Sequence, residues 1–197
     1  MSTALVLREF VRNPLRMASV TPSSPALAAT MTAPVPSSGE PIVVELGPGT
    51  GAFTAAVQQR LGSRGRHIAI DLNPHMARVL AERFPSVEVV TAAAVELPAV
   101  LADRGIPTAD AVVSGLPWAA FSGRAGGRLI ETIAATLHPT GAFTQFTYTW
   151  SRWAAPSRRQ HDQLRAAYDE VILSRTIWRN LPPALTYVAR RPHPRRS

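Results

Sequence analysis

The sequence predicts an α/β domain. It reads as a seven-stranded, mostly parallel sheet with helices on both faces and a C-terminal antiparallel hairpin. Three observations point there. Short β-rich runs alternate with helical segments from residue 42 to residue 168, and strand–helix alternation implies parallel strands joined by right-handed crossovers. Two further β-rich runs then follow with only Asn180-Leu181-Pro182-Pro183 between them, a hairpin signal whose proline pair widens the turn. Nothing between the strands is long enough to build a second domain.

Taken in order, residues 4–12 place Leu7, Phe10 and Val11 on one helical face and Arg8, Glu9 and Arg12 off it. Asn13-Pro14 stops that helix. Ser24-Pro25 reads as an N-cap followed by proline at the first helical position, opening a short helix through Met31. Residues 32–41 are a loop. Strand one is Ile42–Leu46, and Gly51–Leu61 is helical. Strand two is His67–Asp71, followed by a helix over Pro74–Phe84 with Met76, Val79 and Leu80 at helical spacing. Strand three is Val87–Thr91, and residues 95–103 form a short helix. Strand four is Ala109–Ser114. The stretch Arg124–Leu137 carries Leu129, Ile130, Ile133 and Leu137 on one face. Strand five is Gly141–Tyr148, Ser157–Tyr168 is a polar helix, and Glu170–Trp178 and Ala184–Arg190 form the hairpin. Three parts result: an N-terminal helical segment over residues 1–38, a domain over 39–190 and a basic tail over 191–197.

Composition narrows the chemistry. The 197 residues suit one domain with a sizeable core. No apolar run is long enough to span a bilayer, and no signal-peptide pattern opens the chain, so a cytoplasmic protein is expected. The absence of cysteine excludes disulfides, thiolate metal sites and cysteine nucleophiles. Net charge is +8, and all 21 basic residues are arginine. Arg8, Arg12 and Arg16 lie near the start, and Arg190, Arg191, Arg195 and Arg196 near the end. Two readings of these clusters stand: a solvated, disordered tail, or contact with a polyanion, either an anionic membrane or RNA.

The chemistry-bearing motif follows strand one. Glu45-Leu46-Gly47-Pro48-Gly49-Thr50-Gly51 runs from that strand into a helix. Its glycines permit a tight turn and close approach of a ligand to backbone, and the helix start offers free amide groups. Strand two ends in Asp71, 20 residues after Gly51. An acid there faces the same crevice and can accept hydrogen bonds from two ribose hydroxyls. The spacing G-x-G-x-G, the preceding glutamate and the seven-strand count set this apart from a dinucleotide fingerprint. Strand four runs into Ser114-Gly115-Leu116-Pro117-Trp118. This loop lies beside strand one, at the strand ends where ligands bind in open α/β sheets.

The pairing of E-x-G-x-G-x-G with a following strand ending in acid resembles the class I S-adenosylmethionine-dependent methyltransferases, which have a Rossmann-like fold. The resemblance covers about residues 40–190. It implies S-adenosylmethionine as cofactor, with Gly47, Gly49 and Gly51 around its methionine part, Asp71 on the ribose and Leu72 on the adenine. The cofactor set it implies is Glu45, Gly47, Gly49, Thr50, Gly51, Asp71, Leu72, Ala93, Ala94 and Ser114. Ser114-Gly115-Leu116-Pro117-Trp118 is similar to the Asn/Asp-Pro-Pro-Tyr loop of nitrogen-directed members. In such a loop, backbone carbonyls hold the amine and the aromatic ring supports the developing cation. The implied acceptor-side residues are Ser114, Leu116, Trp118 and Tyr148. Trp118 has the alternative reading of a core tryptophan lidding the pocket. Tyr148 is the first candidate base, acting through water, with His75 and His161 behind it. Trp118, Tyr148, Trp150 and Trp153 together offer a cage for a methylated ammonium. No metal is implied.

Phe10–Pro14, Ser19–Ala28, Val44–Thr54 and Ser114–Pro117 together resemble bacterial phospholipid N-methyltransferases, relatives of the ribosomal RNA adenine dimethylases. That resemblance implies methyl transfer to the amine of phosphatidylethanolamine or a similar lipid. The N-terminal amphipathic helix then lies peripherally on an anionic inner-membrane surface, caps the cofactor pocket, or does both. One departure stands out. Relatives commonly carry an acid that contacts the adenine amino group where this chain has Ala93, which costs about 1 kcal/mol; Glu96 or a backbone carbonyl is the candidate replacement. Three rivals remain: an RNA adenine methyltransferase, disfavoured because the chain ends after the sheet; a small-molecule N- or O-methyltransferase; and a cofactor-binding module without catalysis. The acceptor, the number of methyl groups, the general base and the oligomeric state are not encoded legibly.

Overall fold

The computed structural model describes residues 23–121 and 123–193. The helix expected over 4–12, Arg8, Arg12 and Arg16, and Arg195 and Arg196 lie outside the described residues. The sheet has seven strands: β1 (Ile42–Leu46), β2 (Arg66–Asp71), β3 (Glu88–Thr91), β4 (Ala109–Ser114), β5 (Leu137–Tyr148), β6 (Tyr168–Leu173) and β7 (Ala184–Pro192). Their order is β3-β2-β1-β4-β5-β7-β6. β1 to β5 pair in parallel, and β7 is antiparallel to both β5 and β6. Among the described residues six α-helices flank it: α1 (Pro25–Met31), α2 (Ala52–Leu61), α3 (Pro74–Arg83), α4 (Leu97–Ala102), α5 (Arg124–Thr136) and α6 (Ala155–Ala167).

Strand alternation divides the core between the two faces. Val44, Leu46, Ile68, Ile70, Val112 and Phe143 pack with α4, α5 and α6 on one side. Val43, Ala111 and Val113 pack with Phe53, Val57 and Leu61 of α2 and Leu27 and Met31 of α1 on the other. Helix α1 starts where the sequence places it: Ser24 Oγ accepts the Leu27 N–H at 3.2 Å, and Pro25 occupies the first helical position. Its far end is fixed to the sheet, because Thr144 Oγ1 donates to the Met31 carbonyl at 2.9 Å.

Most elements lie within one or two residues of the expected bounds, and β5, the polar helix and β6 shift for visible reasons. β5 begins at Leu137 rather than Gly141, with a register shift against β4 between Ala109 and Ala111. At Gly141 a Cβ would meet the carbonyl oxygens of His138, Asp110 and Ala109 at 2.9–3.1 Å, so only glycine fits this irregularity. The polar helix begins at Ala155, with Pro156 in its first turn. β6 ends at Leu173 instead of Trp178, because Ser174 Oγ takes the Thr186 N–H at 2.9 Å and breaks the regular ladder. The hairpin connection is therefore a ten-residue loop over 174–183, secured by an isolated Ile177–Ala184 bridge.

Candidate active site

The parallel strands point their carboxyl ends at one cleft of about 930 Å³. The turn after β1 forms one wall through Gly47, Pro48, Gly49 and Thr50, and the end of β2 adds Asp71, Leu72 and Asn73. Ala92, Ala93, Ala94 and Val95 line it after β3, and Gly115, Leu116, Pro117 and Trp118 after β4. Phe146, Thr147, Tyr148 and Trp150 close the far side from β5. The cleft thus sits outside the carboxyl ends of the sheet on both sides of β1, where open α/β folds bind ligands.

The near half suits an adenosine-bearing cofactor. Asp71 Oδ1 accepts the Asn73 N–H at 2.8 Å, which fixes the carboxylate at the rim where a ribose diol can meet it. Asn73 in turn caps α3 through Oδ1. Leu72 is 73% exposed, and Val95 also shows its apolar side chain to solvent. Both line the cleft, so a flat heterocycle there would cover the apolar surface they expose. Ala93 occupies the same wall. Glu96 does not replace the missing acid, since its Oε2 accepts the Ala93 N–H at 2.6 Å and its side chain does not line the cleft. Backbone groups of residues 92–95 are left to read the ring edge.

Glycine at 47 and 115 has a steric cause. Gly115 N–H donates to the Leu46 carbonyl at 2.8 Å, and Gly47 N–H donates to the Ile70 carbonyl at 2.9 Å. A Cβ on Gly115 would stand 2.5 Å from the Gly47 oxygen, and one on Gly47 would stand 2.8 Å from Leu116 Cδ2. The backbone of the turn after β1 therefore excludes a side chain at Gly115, and Gly47 is held to glycine by its φ of 64° as well as by Leu116.

Three residues expected in the site stand behind it. Ser114 is fully buried, and its Oγ accepts the Trp118 indole N–H at 3.0 Å. It orients the ring and has no face on the cleft. Gly51 opens α2 at φ 84° and lies against Phe84, away from the cleft. Glu45 is buried on the α2 side. Its Oε2 accepts from Thr54 Oγ1 at 2.8 Å and lies 3.1 Å from His67 Nε2. Gln58 Nε2 meets His67 Nδ1 at 3.0 Å, and Ser86 Oγ donates to Gln58 Oε1 at 2.6 Å. The chain Glu45–His67–Gln58–Ser86 braces β1, β2 and α2 beneath the glycine turn.

The far half is aromatic. Trp118 is only 6% exposed and borders the cleft. Its ring meets Phe143 edge-on and Phe121 at a tilt, each at 5.8 Å. Tyr148 stacks on Trp150, with centroids 6.5 Å apart and an interplanar angle of 11°. Trp153 stands outside this wall, with the Arg152 guanidinium 4.7 Å over its ring. His75 and His161 do not line the cleft either. Burial pushes the Tyr148 phenol above its ordinary value, so it stays protonated at neutral pH. The sequence reading missed Gln160. This α6 residue is buried, lines the cleft and has no hydrogen-bond partner for Nε2 among the described residues. Within a polar helix its sequence carries no signal separating it from its neighbours. No cluster of metal ligands occurs among the described residues.

Comparisons with known proteins agree with this geometry. A family described as a methyltransferase domain matches residues 43–141. An ornithine lipid N-methyltransferase from Singulisphaera acidiphila is 34% identical over 189 residues, spanning 94% of either chain. Among solved structures, an S-adenosylmethionine-dependent methyltransferase from Aquifex aeolicus aligns with TM-score 0.60 at 14% identity, over 96% of this chain and 98% of that one. The 1,6-didemethyltoxoflavin-N1-methyltransferase of Burkholderia thailandensis, bound to its ligand and S-adenosylhomocysteine, aligns with TM-score 0.61 at 22% identity, over 96% and 89%. At these identities the structures speak to the fold alone.

Proposed function

We propose that this chain, which belongs to the S-adenosylmethionine-dependent methyltransferases, methylates the amine of a lipid headgroup at a membrane surface. The observation that carries the reading is end-to-end similarity to an ornithine lipid N-methyltransferase. The cleft supports it in three ways. Its acceptor half is lined by Trp118, Phe146, Tyr148 and Trp150, whose ring faces favour a cationic nitrogen. Gln160 brings a free amide donor that an ester, amide, carboxylate or phosphate oxygen of the headgroup can take. Its lining continues over Pro156 and Ser157 at the start of α6, along which acyl chains can lie.

The bound cofactor supplies an electrophilic methyl group on a sulfonium. The residues of this chain supply position and exclusion of water. Asp71 holds the ribose end. Leu116 and Trp118 set the wall along which the amine approaches. The Tyr148 hydroxyl accepts a hydrogen bond from the amine. The amine enters as its neutral form, and its proton leaves to solvent through the open mouth of the cleft.

The test is transfer of label from S-adenosylmethionine to vesicles containing phosphatidylethanolamine, to vesicles containing an ornithine lipid, and to ribosomal RNA as control. Label in either lipid supports the proposal and identifies the headgroup. Label in RNA alone, or in neither lipid while cofactor binding is intact, overturns it.

A further inference from the structure

Three of the four tryptophans are exposed, and all three lie at one edge of the sheet. Trp150 and Trp153 follow β5 and are 49% and 70% exposed, and Trp178 in the β6–β7 loop is 75% exposed. Leu181 in that loop is exposed as well. The topology brings the two segments together. β5 and β6 end, and β7 begins, on the same side as the cleft. The Pro183 carbonyl accepts both the Thr149 N–H at 2.9 Å and the Thr149 hydroxyl at 3.1 Å, which ties the two turns to each other. Residues 149–161 and 174–183 carry Arg152, Arg158, Arg159, Arg175 and Arg179 and no carboxylate. Asp71 and Glu96, at the end of β2 and after β3, lie toward the other side of the sheet, and the first acid of α6 is Asp162.

Exposed tryptophans cost free energy in water, and a cluster of them marks an interaction surface. Tryptophan with arginine suits the interfacial zone of a bilayer, where the ring lies among headgroups and the guanidinium meets lipid phosphate. The patch is also continuous with the cleft, because Trp150 belongs to both. Ser24, near the start of the described chain, donates its N–H to Asn180 Oδ1 of the same loop at 2.9 Å.

We infer that the turn after β5 and the β6–β7 loop form a membrane-docking surface for anionic bilayers, which seats the acceptor side of the cleft against the headgroups. The inference rests on the lipid-amine reading and adds the surface through which the enzyme reaches its substrate. Trp150 is the pivot, since it lines the cleft and is half-exposed at the patch. Trp153 and Trp178 enter the headgroup layer to either side. Arg175 and Arg179 supply charge attraction to phosphate.

The experiment is partitioning of the full chain onto vesicles of mixed phosphatidylglycerol and phosphatidylcholine, with S-adenosylmethionine binding by calorimetry as a check on folding. In the Trp153→Ala/Trp178→Ala variant the partition coefficient is expected to fall about tenfold. In the Arg175→Ala/Arg179→Ala variant it falls about thirtyfold on anionic vesicles and changes little on pure phosphatidylcholine. Cofactor affinity stays as in the unmodified protein. Unchanged partitioning in both variants overturns the inference. Should a variant fail to fold, the unmodified protein decides: brominated acyl chains quench its tryptophan fluorescence, and lack of quenching overturns the inference. Binding to structured RNA but not to vesicles, lost in the arginine variant, also overturns it and makes the patch a nucleic-acid surface. Vesicle binding without lipid methylation refutes the proposed function and leaves the surface standing. Lipid methylation with unchanged partitioning in both variants does the reverse.

Discussion

Ser114 lies behind the cleft wall, so its effect on the chemistry passes through Trp118. Ser114→Ala leaves the indole N–H buried without an acceptor, at a cost of about 1–3 kcal/mol. The expected outcome is a lower melting temperature and a loss of turnover, with cofactor affinity retained. Turnover kinetics beside calorimetry would reveal a plain packing residue if turnover did not move. Asp71→Ala removes the carboxylate from the cofactor half. It is expected to raise the S-adenosylmethionine dissociation constant about tenfold or more, since hydrogen bonds to a charged group contribute about 1.5–3 kcal/mol. An unchanged constant would remove the ribose role. Glu45 and Gly51 carry a lesson at this scale. Both belong to a motif legible in sequence, yet one braces α2 and the other meets Phe84. A motif also preserves the shape of a turn through contacts within the chain, and spacing alone does not separate such contacts from those made to the cleft.

At the scale of elements, the N-terminal helix α1 is as much a part of the fold as the strands it covers. Leu27 and Met31 are fully buried against α2 and the sheet. Leu27→Ala should destabilise the protein by about 2–5 kcal/mol, read as the midpoint shift in urea; a loss below 1 kcal/mol would mean the helix is peripheral. The cap signal Ser24-Pro25 made this helix visible in the sequence, and local hydrogen bonds explain why. The end of β6 was not visible. Residues 170–178 have strand composition throughout, and what stops the strand is one serine hydroxyl replacing a backbone acceptor across the sheet. β5 likewise starts early because its partner strand slips in register. Pairing between strands decides such limits, and one strand's composition does not contain its neighbour's register. Gln160 was invisible for a related reason: its burial depends on what packs over α6.

For the molecule as a whole, charge is unevenly spread and so is its response to pH. Hydrogen bonding to Arg66, and secondarily to Arg104, holds Glu88 below the ordinary carboxylate value. A depressed carboxyl group stabilises the fold above its ordinary value, and that contribution is lost as pH falls through the folded value. Burial pushes Tyr168, Tyr148 and Tyr187 the other way. Their phenols are neutral in the folded and unfolded chain at neutral pH. As pH rises above the ordinary phenol value, about 10, the unfolded chain ionises first and stability falls. Melting temperature is therefore expected to be flat between about pH 5 and pH 9 and to drop on either side. A peak inside that range would mean that a histidine governs stability.

Because the Gly47 oxygen and the Gly115 backbone leave no space between them, donor seat and acceptor wall behave as a single rigid jaw. The opposing jaw is made of side chains from β5 and α6, each replaceable without disturbing the first. A lineage can therefore change which nucleophile it serves by editing residues such as Tyr148, Trp150 and Gln160, while the stroke length of the transfer stays constant. Diversification of acceptors on this scaffold is a matter of retooling one side of a vice whose other side is fixed.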